Sequence, residues 1–184
     1  PLAKHEDAAI RLPALALAVT FGDAEAAAKL RAIAADGKQP TTERREALES
    51  LVRSQDKDVS PLLKTLLRDE ALRGDALRGL AAYDSAETPA AILDVYAQLP
   101  PTQQREAIAT LASRPSYALA LLDAIDKRRV PAGHLSADLV RQLRDLKHEP
   151  LDKQIERVWG TVRESAADRL KMIEHYKLVV GQTD

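Results

Sequence analysis

The chain has 184 residues, 45% hydrophobic and 30% charged, with 27 Lys and Arg against 28 Asp and Glu and a formal net charge of −1. So high an apolar fraction at near-zero net charge excludes a disordered chain, and the length fits one or two globular domains. The charge balance disfavours a general polyanion binder, and an aromatic content of only 3% disfavours a base-stacking platform.

From the N-terminus, Leu12 to Val19 is an alanine-rich run interrupted by Pro13. It falls well short of the ~20 apolar residues a membrane span needs, and it reads as a helix that Pro13 kinks. Residue 1 is Pro and no charged-then-apolar leader follows, so the chain reads as an excised segment of a longer protein. Between residues 43 and 53, Ala47, Leu48, Leu51 and Val52 fall at i, i+1, i+4 and i+5, one face of a helix. Leu62, Leu63, Leu66 and Leu67 repeat that spacing, and Asp56 and Asp58 in the loop between read as caps. Further helix starts are signalled by Ser60 before Pro61, Thr88 before Pro89, Thr102 opening 102–114 and Ser136 opening 136–146. Two longer amphipathic helices, 150–164 and 165–180, close the chain. The first carries Leu151, Ile155, Val158, Trp159 and Val162 on one face, and the second carries Ile173, Tyr176 and Val180. Ser165 with Asp168 resembles a capping box at the start of the second. No strict alternation of a strand type appears, so the fold class is all-α with about eleven helices.

The helices come in similar pairs. Ala47-Leu48 with Leu51, Ala76-Leu77 with Leu80, and Ala107-Ile108 with Leu111 share one pattern, each near a basic residue: Arg45, Arg73 and Arg105. Ala76 follows Ala47 by 29 residues and Ala107 follows Ala76 by 31. Ala14-Leu15 upstream and Leu139-Val140 with Leu143 downstream are looser copies. A two-helix repeat of this period predicts a HEAT-like α-solenoid of about five helix pairs in a right-handed superhelical stack. Residues 1–149 form the repeats, and 150–184 form a C-terminal helical cap of the same domain, with Trp159 in its core. Helical layers approach closely only where a contact position is small, so Ala47, Ala76 and Ala107 are predicted to be buried.

The residues that would carry chemistry are missing. There is no cysteine, which excludes a disulfide, a thiolate zinc site and a cysteine nucleophile. His5, His134, His148 and His175 form no H-E-x-x-H, and His148 with Asp152 is too sparse a set for zinc. Gly74 and Gly79 lack the lysine of a phosphate loop and read as sites of close helix packing. No catalytic, cofactor-binding or metal-binding residue is assigned. One charge feature stands out. Between 127 and 148, Lys127, Arg128, Arg129, Arg141, Arg144 and Lys147 face only Asp138 and Asp145, six basic residues against two acidic. Arg128, Arg129, Arg141 and Arg144 are the candidate docking residues for an acidic partner or a phosphate backbone. An ordinary solvated surface, with cations placed at helix ends to complement the macrodipole, is the alternative.

From Arg44 to Lys177 a series of phrases resembles a known family. They are Leu72-Arg73-Gly74, Leu80-Ala81-Ala82-Tyr83-Asp84, Thr110-Leu111-Ala112-Ser113-Arg114-Pro115 and Leu121-Leu122-Asp123-Ala124-Ile125. Val130-Pro131, Leu135-Ser136-Ala137, Val140-Arg141-Gln142-Leu143, Val158-Trp159-Gly160 and Tyr176-Lys177 follow in family order. The stretch resembles the HEAT-like repeat region of the large haem-binding dehydrogenase-like proteins of the PVC type. In that family a sugar-dehydrogenase-like β-propeller precedes the repeats and a c-type cytochrome domain follows them. The resemblance implies a non-catalytic scaffold that spaces redox domains or docks a partner in an extracytoplasmic, periplasmic electron-transfer protein. It also implies covalent haem c in a neighbouring domain of the parent protein, because this chain has no C-x-x-C-H. Its partners would be proteins: the adjoining redox domains or an electron-transfer partner. Two alternatives are a stand-alone protein-interaction HEAT solenoid and, less favoured, a nucleic-acid-binding HEAT protein resembling the alkylpurine DNA glycosylases.

Overall fold

The computed structural model describes residues 3, 5 and 7–160, and the described residues contain helices and no strand. The helices are α1 (Ala8–Thr20), α2 (Ala24–Ala35), α3 (Thr41–Arg53), α4 (Val59–Leu66), α5 (Arg73–Leu80), α6 (Thr88–Val95), α7 (Pro101–Leu111), α8 (Pro115–Asp126), α9 (Ala137–Arg144) and α10 (149–160). Short 3-10 turns follow α6 at Tyr96–Gln98 and precede α9 at Ala132–His134. The second closing helix, with Ser165, Asp168, Ile173, His175, Tyr176 and Val180, lies outside the described residues, as does Val162.

Helix starts follow local chemistry, with shifts from the sequence reading. Ser136 caps α9 as predicted, its hydroxyl accepting from the Leu139 amide at 3.1 Å. Asp7 and Asp23 cap α1 and α2 in the same way, accepting from Ala9 and from Glu25 and Ala26. Ser60 and Thr88, expected to precede their helices, lie inside them, because Asp58 and Glu87 occupy the cap positions. Proline is tolerated there, since first-turn amides have no intrahelical acceptor. Helix α7 starts at Pro101 rather than Thr102 and stops at Leu111, three residues before the expected end. The stop has a cause in Pro115, whose ring forces the residue before it out of the helical region; Arg114 is extended at φ −156° and ψ 156°. Pro13 does not interrupt α1, which continues to Thr20; Gly22, just past the Phe21 cap, turns the chain at a φ of 84° that a side chain would resist.

The chain divides into two compact units, Pro1–Leu111 and Ala112–Asp184. In the first, α1 packs on α2 and α3, α3 on α5, and α5 on α7, while α2 packs on α4 and α4 on α6. Odd-numbered helices thus touch the next odd one, and even-numbered helices the next even one. Ala47, Ala76 and Ala107 are all fully buried, as their role in close helix approach requires, together with Leu48, Leu51, Leu77, Leu80 and Leu111. Each buried leucine contributes about 1.5–3 kcal/mol relative to exposure. Gly79 makes the closest approach: a Cβ there would lie 2.9 Å from Leu63 Cδ2 and 3.2 Å from Val52 Cγ2.

Polar ties recur at about the repeat spacing. Arg31 grips both carboxylate oxygens of Asp56 at 2.7 and 2.6 Å, 25 residues away. Asp56, read as a cap, is thus held by α2 instead; Asp58 does hold the cap position of α4, but without a side-chain cap bond, and it lies 3.8 Å from the same Arg31. Arg44, only 5% exposed, donates to the Ala34 carbonyl at 3.1 Å and to Asp69 at 2.5 Å. Arg45 meets Asp75 at 2.9 Å, Arg78 meets Glu106 at 2.5 Å, and Thr110 donates to the Leu77 carbonyl at 2.7 Å. Burial raises the Asp69 carboxyl, but the Arg44 bond and the Ala71 and Leu72 amides outweigh it, so its pKa lies below the ordinary value.

In the second unit, Tyr117, Ala118, Leu121, Leu122 and Ile125 of α8 are buried, as are Leu139, Val140 and Leu143 of α9. Helix α10 buries Leu151, Ile155 and Val158 at i, i+4 and i+7. Arg157 of α10 pairs with Asp126 at the end of α8 at 2.9 Å. Trp159 is half-buried, one position around the helix from Val158, and the second helix of the cap whose core it is predicted to join lies outside the described residues.

Candidate docking surface

All six basic residues of the 127–148 segment are exposed. They cluster at helix C-termini. The Arg128 amide donates to Ile125 at 3.0 Å and the Arg129 amide to Ala124 at 2.8 Å, closing the last turn of α8. Arg141 and Arg144 occupy the last turn of α9, and the Lys147 amide donates to the Arg144 carbonyl at 3.0 Å. Cations there complement the partial negative charge of the helix ends. Lys127 pairs with Asp123 at 2.8 Å, and Arg141 pairs with Asp138 one turn earlier. Exposed pairs of this type are worth about 0–1 kcal/mol and leave the cations available to a partner.

The backbone adds one detail. Arg128 and Lys147 both adopt left-handed conformations, with φ of 59° and 51°. A non-glycine residue there costs about 1–2 kcal/mol that glycine would avoid. Each of these two bends therefore carries a cation where glycine would be less strained. Arg129 and Arg144 are also exposed, so the predicted docking residues all face water, from the ends of two helices.

A second surface escaped the sequence reading. Ile10, Leu17 and Phe21 are the exposed large hydrophobics among the described residues; Leu17 is 61% exposed and Phe21 82%. They fall at i, i+7 and i+11 along α1, opposite its buried stripe of Leu12, Leu15 and Val19. Leu17, alone of the three, also lines an open groove of about 640 Å³, with Pro13, Ala16 and Thr20 beside it on the α1 wall and Glu46, Glu49 and Arg53 on the α3 wall. The signal was present in the sequence: α1 is apolar nearly all round, the pattern of a helix that something covers.

Among the described residues no cluster of three or more His, Cys, Asp or Glu is placed to hold a metal ion. His148 instead lies before α10, its Nδ1 accepting from the Leu151 amide at 3.4 Å. No described helix is long and apolar enough to cross a membrane. No protein-family model, curated protein or solved structure matches the chain.

Proposed function

We propose that the chain is a non-catalytic HEAT-like helical-repeat scaffold that docks protein partners and spaces the redox domains of a larger haem-binding dehydrogenase-like protein outside the cytoplasm. The observation that carries the scaffold reading is the agreement of two periods. The pattern of Ala, a large aliphatic and a leucine three later recurs at 29 and 31 residues, and polar ties span 25 residues at Arg31–Asp56, 30 at Arg45–Asp75 and 28 at Arg78–Glu106. Contacts of odd helices with odd and even with even are what a stack of helix pairs requires. The redox context rests on the family-like phrases from Leu72 to Lys177. Haem c would belong to a neighbouring domain, since thioether attachment needs cysteine and this chain has none. The exposed Arg128, Arg129, Arg141 and Arg144 supply the docking surface for an acidic protein face.

The test is the parent reading frame on both sides of this chain, with a haem absorption spectrum of the full-length protein. A downstream C-x-x-C-H and a c-type spectrum are the expected results. A frame with no redox domain on either side overturns the redox reading and leaves a stand-alone interaction solenoid.

A further inference from the structure

We propose that the groove between α1 and α3 docks a basic amphipathic helix of another protein. The inference does not depend on the redox reading. Three observations converge on it. Ile10, Leu17 and Phe21 leave an apolar stripe in water on one helix, and a helix apolar on both faces is normally covered. The stripe extends over eleven residues, about 16 Å at 1.5 Å per residue, the length of a three-turn partner helix. The open groove of about 640 Å³ meets that stripe at Leu17 and supplies the concavity that helix-in-groove recognition uses.

Charge selects the partner. Glu46 and Glu49 on the α3 wall are exposed, sit one turn apart, and make no ion pair among the described residues; Arg53 is the single cation of that wall. Two carboxylates three residues apart match Lys or Arg at i and i+3 or i+4 on a facing helix. A second copy of this chain fits poorly. Among the described residues it has no exposed large hydrophobic other than Ile10, Leu17 and Phe21, so a copy could meet the stripe only with its own. Such a two-fold contact would bring Glu46 and Glu49 toward their counterparts, an uncompensated like-charge juxtaposition.

The probe is a fluorescein-labelled synthetic helix of Leu and Lys, with Leu at the core positions of each heptad, titrated against the full chain by fluorescence anisotropy. The control is the same peptide with Glu for every Lys. The Lys peptide is expected to bind at least about tenfold more tightly than the Glu peptide, with the difference shrinking as salt rises. Leu17→Ser with Phe21→Ser is expected to weaken the Lys peptide about tenfold or more; both side chains face solvent, so the fold is retained, which circular dichroism checks. Glu46→Gln with Glu49→Gln is expected to weaken it roughly threefold to tenfold. Equal binding of the two peptides, binding of neither, or no effect of the Leu17 and Phe21 changes overturns the proposal. So does a concentration-dependent dimer that Leu17→Ser abolishes, which would make a second copy the occupant.

Discussion

Helix α5 carries two glycines, and alanine at each separates helix propensity from packing. In a helix, alanine is favoured over glycine by about 0.8–1 kcal/mol, so both substitutions begin with a gain. At Gly79 the new methyl would sit 2.9 Å from Leu63 Cδ2 and 3.2 Å from Val52 Cγ2. Leu63 is fully buried, so its methyl cannot swing into water, and overpacking of this type costs about 1–3 kcal/mol. The net for Gly79→Ala is a loss of roughly 1 kcal/mol. At Gly74 the methyl would meet Glu106 Oε2 at 3.0 Å and Arg78 Nη1 at 3.5 Å, the far ends of two long side chains that pair with each other. Those chains are 32% and 58% exposed and can move aside, so Gly74→Ala keeps most of its gain, about 0.5 kcal/mol or more. Thermal and urea unfolding followed by far-UV circular dichroism would read the difference, at about 2–4 °C per kcal/mol for a chain of this size. If Gly79→Ala stabilises as much as Gly74→Ala, close approach of α5 to α3 and α4 is not why Gly79 is glycine.

Leu111→Ala should cost about 2–5 kcal/mol, because Leu111 is fully buried at the end of α7; a loss under ~1 kcal/mol in urea unfolding would refute its placement. Asp69 has a folded pKa below its ordinary 3.8, so its contribution is complete above about pH 4 and is lost as pH falls through the lowered value. Asp69→Asn should therefore flatten part of the acid decline in stability, and an unchanged acid limb would contradict the Arg44 pairing. Burial pushes the Tyr96 phenol up to about 12 from 10.0, so its contribution is full below about pH 10 and is lost as pH rises through the folded value. Tyr96→Phe should remove a tyrosine that ionises later than the ordinary phenol from an alkaline absorbance titration; no change there would place Tyr96 in contact with water. Duplex DNA at low ionic strength should show no salt-dependent binding, since the chain has no basic excess; a steep salt slope would revive the nucleic-acid reading.

The apolar periodicity was legible in the sequence because burial and helix geometry are both local signals. Ala47, Ala76 and Ala107 could be placed from spacing alone, and so could the stripe Leu151, Ile155 and Val158. What escaped was set by partners distant in sequence. Arg44 carries no local signal of burial, yet it is buried, because Asp69 and the Ala34 carbonyl converge on it from other segments. Asp56 reads as a cap by its place before α4, yet Arg31 claims it from α2. The basic segment was legible as composition, whereas the left-handed bends at Arg128 and Lys147 were not, since their residue types give no such signal.

The difference between apolar and polar contacts bears on how a repetitive chain finds its order. The faces of α3, α5 and α7, each an Ala, a large aliphatic and a leucine three later, are nearly alike, so hydrophobic burial alone would accept a pairing shifted by one such segment. The polar ties are not alike. Arg31 holds two oxygens of one carboxylate, Arg44 is buried against Asp69 and a carbonyl, Arg45 reaches Asp75, and Thr110 donates to the Leu77 carbonyl. A shifted pairing would leave Arg44, the buried member, without its carboxylate, and an uncompensated buried charge costs about 3–5 kcal/mol. That penalty falls on wrong pairings, while the net gain in the right one is small after desolvation. The leucines therefore supply the adhesion between helices, and the buried Arg44–Asp69 pair penalises a shifted partner.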